Sequence, residues 1–287
     1  MTVISQPLPD VPTLRVRDLP IATRARRHGL PNATIVARND VTASLAVFVL
    51  MLDSPLNNFS AGQYVSLGLE HEDSLVQRPY SVVSCTEDST RIELFVRRLP
   101  DGRFSNLMWA ASPGDRIVVG PAKGLFVLNS DDRRPRVMVG TGTGVAPMIA
   151  MLDAACRDGD RTPTVLIFGS SFADEFPFSD RLEAWIARGL PLDYRPTISR
   201  PRETRNLSWV GRVGRAEAQL SALLDEWRWL RAGGASAYLC GNPDMVSACS
   251  KVLEAASFAA KDIRVELFHA PTKDSLASDK QGGTASA

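Results

Sequence analysis

Three short stretches of this chain carry residue types that hold anions and flat rings. Gly140-Thr141-Gly142-Thr143-Gly144-Val145-Ala146-Pro147 lies between an apolar run and a helical pattern. Glycines let a backbone approach a ligand closely and accept positive φ. A helix N-terminus behind them offers free N–H groups and a positive dipole end to a pyrophosphate. Pro147 fits the first helical turn, where a missing N–H costs nothing. A tight connection in any doubly wound fold would use similar residues. Arg78-Pro79-Tyr80-Ser81 combines a guanidinium for charge-assisted bonds to phosphate with a ring for stacking. Its serine hydroxyl suits a ring nitrogen that gains and loses a proton. A buried strand with a turn explains the same four residues. Gly102-Arg103-Phe104-Ser105-Asn106-Leu107 precedes Pro113-Gly114-Asp115 and Gly120-Pro121. Glycine, serine and a helix start again form a phosphate cradle, or simply a turn and a cap.

Such residues need elements to hold them. Residues 33–130 read as all-β. Ala33–Arg38, Ser44–Leu52, Gln63–Leu69, Tyr80–Ser84, Arg91–Arg98 and Asp115–Gly120 are short apolar or alternating runs. Turn signals separate them, among them Asn39–Asp40 and Asp101–Gly102. A short helix is expected over Ser105–Ala111, with Ser105 as its N-cap. Six strands around one helix suggest a small barrel. Beyond Asp131–Arg134 the period changes. Strands Arg136–Val139, Thr164–Phe168, Leu192–Ile198, Ala237–Leu239 and Ile263–Leu267 alternate with helices Ala146–Cys156, Asp180–Arg188, Ala216–Leu230 and Pro243–Ala256. Gly169 and Ser170 read as the turn that stops the second of these strands. The alternation implies a doubly wound parallel sheet over residues 131–268. Residues 1–32, rich in proline and arginine, read as an extension: a solvated tail, or a basic arm for an acidic partner. Residues 269–287 are small and polar, the composition of a flexible tail.

The chain's 287 residues suit two domains, and its 44% hydrophobic and 23% charged residues suit a globular protein with a real core. A formal net charge of +1 gives no global field for nucleic acid or a membrane surface. Cys85, Cys156, Cys240 and Cys249 show no CxxC spacing, which argues against an iron–sulfur cluster and a disulfide framework. His28, His71 and His269 form no metal spacing. The longest apolar run, Leu45–Leu52, is too short to span a bilayer, and no signal peptide is evident, so the cytoplasm is the expected compartment.

Taken in order, the motifs resemble those of the ferredoxin–NADP reductase family. RPYS stands at 78–81, GRFSN at 102–106, GTGTGVAP at 140–147, CGNP at 240–243 and Val265-Glu266-Leu267-Phe268 near the end. The likeness covers residues 33–268. It implies a barrel that binds FAD and a parallel-sheet domain that binds NADP(H); a monomer is expected. Arg78 and Pro79 would then sit at the FAD pyrophosphate, Tyr80 against the isoalloxazine and Ser81 beside its N5. Phe95, Val96 and Arg97 would line FAD from the next strand, while Gly102, Arg103, Phe104 and Ser105 cradle its phosphates. Thr141, Gly142, Thr143, Gly144 and Pro147, with Gly169 and Ser170, would hold the dinucleotide where the cofactors meet. Cys240, Gly241 and Asn242 would border the nicotinamide. Glu266 would be the carboxylate at the redox centre, and Phe268 the aromatic covering the flavin. Plant-type members end on that aromatic, whereas here nineteen residues follow it, so His269 is an alternative cover, or the tail lies over the adenine. By residue type alone, Cys240 is a small buried hydrophobe and Glu266 a strand-end charge.

The implied chemistry is hydride transfer to or from flavin N5, with ferredoxin or flavodoxin as one-electron partner. Ser81, Cys240 and Glu266 are the expected catalytic residues. Ser199, Arg200 and Arg205, after strand Leu192–Ile198, are expected at the phosphate that distinguishes NADPH from NADH. A solvated basic loop is the other reading of those three. Two competing functions remain: the NAD(P)H-dependent reductase component of a multicomponent oxygenase, and a flavin-binding module without turnover.

Overall fold

The computed structural model describes residues 30–268, apart from residue 73 and the side chain of Cys85. The expected tail 269–287 and most of the extension 1–32 lie outside these residues.

The first half is a closed barrel of six antiparallel strands in the order β1-β2-β5-β4-β3-β6. These are β1 (Ala33–Thr42), β2 (Leu45–Leu52), β3 (Tyr64–His71), β4 (Ser74–Cys85), β5 (Arg91–Arg97) and β6 (Arg116–Val119). Inward residues such as Ile35, Phe48, Leu50, Val65, Leu67, Val82, Ile92, Leu94 and Val96 fill it. One helix, α1 (Arg103–Ala110), closes it with Phe104 and Met108.

Three expectations for this half need correction. The Asn39–Asp40 signal is not a turn. Strand β1 runs on to Thr42, and a register shift between Asp40 and Thr42 absorbs the polar residues as a bulge. Strand β4 begins at Ser74, so Arg78-Pro79-Tyr80-Ser81 lies in mid-strand, with Arg78 opposite Leu67 and Ser81 opposite Tyr64. Gln77 and Pro79 are exposed, which broke the apolar pattern there. Ser105 is not the N-cap of α1. Gly102 is, and the Ser105 hydroxyl donates back to the Gly102 carbonyl at 3.0 Å while accepting from Leu99 N–H.

The second half is a six-stranded, wholly parallel sheet ordered β10-β9-β8-β7-β11-β12. Its strands are β7 (Arg136–Thr141), β8 (Thr164–Ser170), β9 (Leu192–Ile198), β10 (Arg212–Val213), β11 (Ser236–Gly241) and β12 (Ile263–Leu267). The helices are α2 (Ala146–Arg157), α3 (Ser179–Ala187), α4 (Ala216–Glu226) and α5 (Pro243–Ala255). Gly169 and Ser170 are not a turn but the last pairs of β8, and Gly169 faces Thr141. A Cβ on Gly169 would lie 3.0 Å from Thr141 Cγ2, so this glycine serves close strand packing. Helix α4 stops at Glu226, where Trp227 leaves helical geometry, and a 3-10 turn spans Arg228–Leu230. The chain winds outward from β7 through β8, β9 and β10, then restarts at β11. The strand order therefore reverses between β7 and β11, where doubly wound sheets bind ligands.

Helix α2 is apolar nearly all round because it is covered on both sides. One continuous cluster joins its Met148, Ile149, Met151 and Leu152 to Met138, Leu166 and Phe168 of the sheet. The same cluster takes in Leu45, Val47, Val83, Phe95 and Phe126 of the barrel half.

Candidate active site at the domain seam

The switch point lies against the barrel. Strand β7 ends at Thr141, and a 3-10 turn over Gly142–Val145 leads into α2, with Pro147 in the first helical turn. Gly142 has φ of 53°, the left-handed region that favours glycine. A Cβ on Gly144 would lie 2.4 Å from Cys240 O and 2.5 Å from Gly241 Cα, so the turn rides directly on the end of β11. Gly241 has φ of 139°, and a Cβ there would press on Thr141 Oγ1. These glycines bring the carboxyl ends of β7 and β11 into contact.

Across this seam come the three expected catalytic residues. Ser81, buried on β4, donates its hydroxyl to Glu266 Oε2 of β12 at 3.4 Å. The Cys240 thiol, on the neighbouring strand, donates to the same oxygen at 3.8 Å. Burial raises the Glu266 carboxyl above the usual glutamate value, and the bonds from Ser81 and Cys240 only partly oppose this. Burial, with Glu266 beside it, also drives the Cys240 thiol well above its usual value. Cys240 is therefore a protonated donor and not a reactive thiolate. Phe268 is half-buried and packs on the interdomain core, with its N–H on Gly241 O at 2.9 Å.

The flavin-side residues spread along β4 and α1. Tyr80 is half-buried and tilts against Phe104 at 5.6 Å. Burial raises its phenol, so the ring stays neutral. Arg78 is half-buried two positions earlier, with Nη1 on the Gln77 carbonyl at 2.7 Å. Gly102, Phe104 and Ser105 are buried and Arg103 half-buried; Phe104 is a core side chain, so only its backbone is available to a phosphate. The side chains of the β5 stretch face two ways. Val96 points into the barrel core, Phe95 packs at 5.1 Å on Phe178, and Arg97 donates to Glu175 Oε1 at 3.1 Å. The Phe95 and Arg97 side chains reach the other domain, because alternate strand residues face opposite ways.

On the dinucleotide side, Thr141, Gly142 and Thr143 are half-exposed. Ser170 is buried, and its hydroxyl is bonded to Glu175 Oε2. Asn242 caps α5, accepting from Asp244 N–H at 2.8 Å. Ser199, Arg200 and Arg205 are exposed beyond the carboxyl end of β9. Arg205 lies 3.9 Å over the Phe172 ring and pairs with both oxygens of Asp174, at 2.6 and 2.8 Å, while Arg200 flanks the same ring at 5.6 Å. Glu175 and Asp174 escaped the sequence reading, which held no local signal for either.

The residues fit an FAD and a dinucleotide. Thr141 Oγ1 is buried at the switch point without a hydrogen-bond partner among the described residues, a group that a ligand amide or ring would satisfy. A groove of about 400 Å³ lined by Pro135, Arg136, Trp227 and Trp229 opens at the other, amino ends of the strands, away from this seam.

Comparison with known proteins agrees. Residues 32–127 match the family model described as "Oxidoreductase FAD-binding domain", and residues 138–251 match "Oxidoreductase NAD-binding domain". The chain is 35% identical to Ferredoxin–NADP reductase B of Sorangium cellulosum over 192 residues, covering 66% of this chain and 76% of that one. It is 30% identical to the toluate 1,2-dioxygenase electron transfer component of Pseudomonas putida over 213 residues, 74% of this chain and 59% of the other. A solved ferredoxin NADP+ reductase from Neisseria gonorrhoeae with bound FAD and NADP superposes with a TM-score of 0.69 at 25% identity, covering 82% and 97% of the two chains. No helix among the described residues is long and apolar enough to cross a membrane. The chain belongs to the ferredoxin–NADP reductase-like family, FAD-dependent oxidoreductases that exchange electrons with a nicotinamide dinucleotide.

Proposed function

We propose that this protein passes electrons from NADPH, through FAD, to a one-electron carrier of the ferredoxin or flavodoxin type. The observation that carries the reading is the convergence of Ser81, Cys240 and Glu266 across the seam. When bound, FAD supplies the exchange between hydride and single-electron chemistry. Arg78, Pro79, Tyr80 and Ser81, the backbone of Phe95, Val96 and Arg97, and Gly102 to Ser105 would hold it. Phe268 would cover it. Thr141 to Gly144, with Gly169, Cys240, Gly241 and Asn242, would receive the dinucleotide, and Ser199, Arg200 and Arg205 its 2′-phosphate.

The chain's own residues then have defined work. Thr141 orients the incoming ring by its unpartnered hydroxyl. Ser81 holds a proton at its Oγ, and Glu266 accepts from it. The Cys240 thiol, driven well above its usual value, stays protonated beside that serine, and the Glu266 carboxyl, raised by burial, accepts from both. The apolar packing of α2 excludes water from beneath the site.

A second reading, the reductase component of an oxygenase, draws on the toluate dioxygenase relative. A diaphorase assay tests both. Reduced carrier in the presence of NADPH with ferredoxin or flavodoxin supports the first. Transfer only to an oxygenase-type acceptor supports the second. A protein that holds flavin but is not reduced by NADPH would be a module without turnover.

A further inference from the structure

Strand β5 presents alternate faces to two different domains. Ile92, Leu94 and Val96 fill the barrel. Glu93, Phe95 and Arg97 point the other way and each meets one residue of a single segment after β8. Glu93 Oε2 accepts from Arg181 Nη2 at 2.8 Å, Phe95 packs edge-on against Phe178 at 5.1 Å, and Arg97 Nη1 donates to Glu175 Oε1 at 3.1 Å. Glu93 and Glu175 are both buried. Glu175 is held from both domains at once, by Arg97 of the barrel and by the hydroxyl of Ser170 at the end of β8. The Arg97 guanidinium also borders the glycine turn: a Cβ on Gly142 would stand 3.6 Å from Arg97 Nη2.

We infer that this joint, centred on Arg97 and Glu175, sets the orientation of the two domains and so the reacting distance at the seam; Arg97 and Glu175 are positioning residues. The inference rests on the proposed function. The physical reason is that a buried carboxylate tolerates no loss of its partner. Glu175 therefore pins Arg97, and with it β5, to the carboxyl end of β8. Strand β4, which carries Ser81, is hydrogen-bonded to β5. Thr141, at the glycine turn, pairs with Gly169 of β8. A shift at the joint changes how Ser81 faces the dinucleotide turn, with every ligand-binding residue still in place.

The test uses the full-length, FAD-loaded protein and the variants Arg97→Ala, Arg97→Lys and Glu175→Gln. Three quantities are measured: the limiting rate of anaerobic flavin reduction at saturating NADPH, the Kd of NADP+ from the flavin difference spectrum, and the calorimetric unfolding profile. In Arg97→Ala and Glu175→Gln the limiting rate should fall about 10- to 100-fold, the scale of a sub-ångström to ångström misplacement, with flavin content kept in both and NADP+ Kd kept in Glu175→Gln, which leaves the guanidinium at the glycine turn intact. Arg97→Lys, which can still reach the carboxylate, should recover most of the rate. The unfolding profile should split or broaden in Arg97→Ala, which removes the pair, and in Glu175→Gln, which leaves only a neutral hydrogen bond. A weakened NADP+ Kd with an unchanged limiting rate would make Arg97 a dinucleotide ligand and overturn the inference. So would wild-type rates in Glu175→Gln, or a Lys variant no better than the Ala variant. Should Arg97→Ala lose its flavin, Glu175→Gln decides by the same criteria. A wild type that NADPH does not reduce would sink the proposed function, and the unfolding profiles would still decide the joint.

Discussion

Ser81 and Glu266 are 185 positions apart in the chain, and the serine hydroxyl donates to the glutamate Oε2 at 3.4 Å. One residue belongs to the barrel and the other to the last strand of the parallel sheet. The bond spans the seam at which the two cofactor domains meet, with Cys240 as a second donor to the same oxygen.

Ser81→Ala should retain FAD and slow flavin reduction. Losing one positioned hydrogen bond in the transition state costs about 10²-fold or more. Stopped-flow reduction by NADPH measures it. A wild-type rate would remove Ser81 from the chemistry, and loss of flavin would make it a structural residue.

Glu266 gives the protein a pH signature. Its carboxyl is raised above the usual 4.5 by burial, so just above pH 4.5 the folded protein keeps a proton that the unfolded chain releases. Its contribution to stability is present below 4.5 and is lost as pH rises through the raised folded value. Glu266→Gln should abolish that loss, leaving the variant relatively more stable than wild type at neutral pH than at acid pH. Denaturant midpoints of both proteins across the range check the sign. A gap that narrows with rising pH would contradict it.

Gly144→Ala tests the close contact of the turn with β11. The new methyl would meet Cys240 O at 2.4 Å. Overpacking of this kind costs about 1–3 kcal/mol, and the displaced turn should bind NADP+ poorly. Chemical denaturation and NADP+ titration give both numbers. Unchanged stability would mean that the turn yields freely.

Cofactor choice is the fourth prediction. Wild type should prefer NADPH over NADH by kcat/KM. Arg200→Ala with Arg205→Ala should erase most of that preference, each charge-assisted contact being worth about 1.5–3 kcal/mol. Arg205 is already paired with Asp174, so Asp174→Asn should free it and tighten NADP+ binding. An unchanged ratio in the double variant would return these arginines to the solvated surface.

Much of this architecture was legible in the sequence. The change of period after Asp131–Arg134 separates a barrel from an alternating sheet, because strand and helix faces repeat differently. The glycine turn showed its strand–turn–helix setting directly. Local signals failed where tertiary packing overrode them. Asn39–Asp40 became a bulge, Gly169–Ser170 stayed in a strand, and Ser105 yielded the cap to Gly102. The seam was legible only through motif resemblance, since Ser81, Cys240 and Glu266 share no local pattern. The joint at Arg97 and Glu175 was invisible, as two charges 78 positions apart announce nothing about each other. The alternation Glu93, Phe95, Arg97 was the available hint, a polar–apolar–polar outer face on a strand expected to line a cofactor.

The most direct measurement is anaerobic addition of NADPH to the purified yellow protein, followed by oxidised ferredoxin or flavodoxin. Prompt bleaching of the flavin band, then recovery of colour as the carrier is reduced, with acid-released flavin identified as FAD, is the expected result. A flavin that stays oxidised under excess NADPH, or a released flavin that is FMN alone, would contradict electron transfer at this seam.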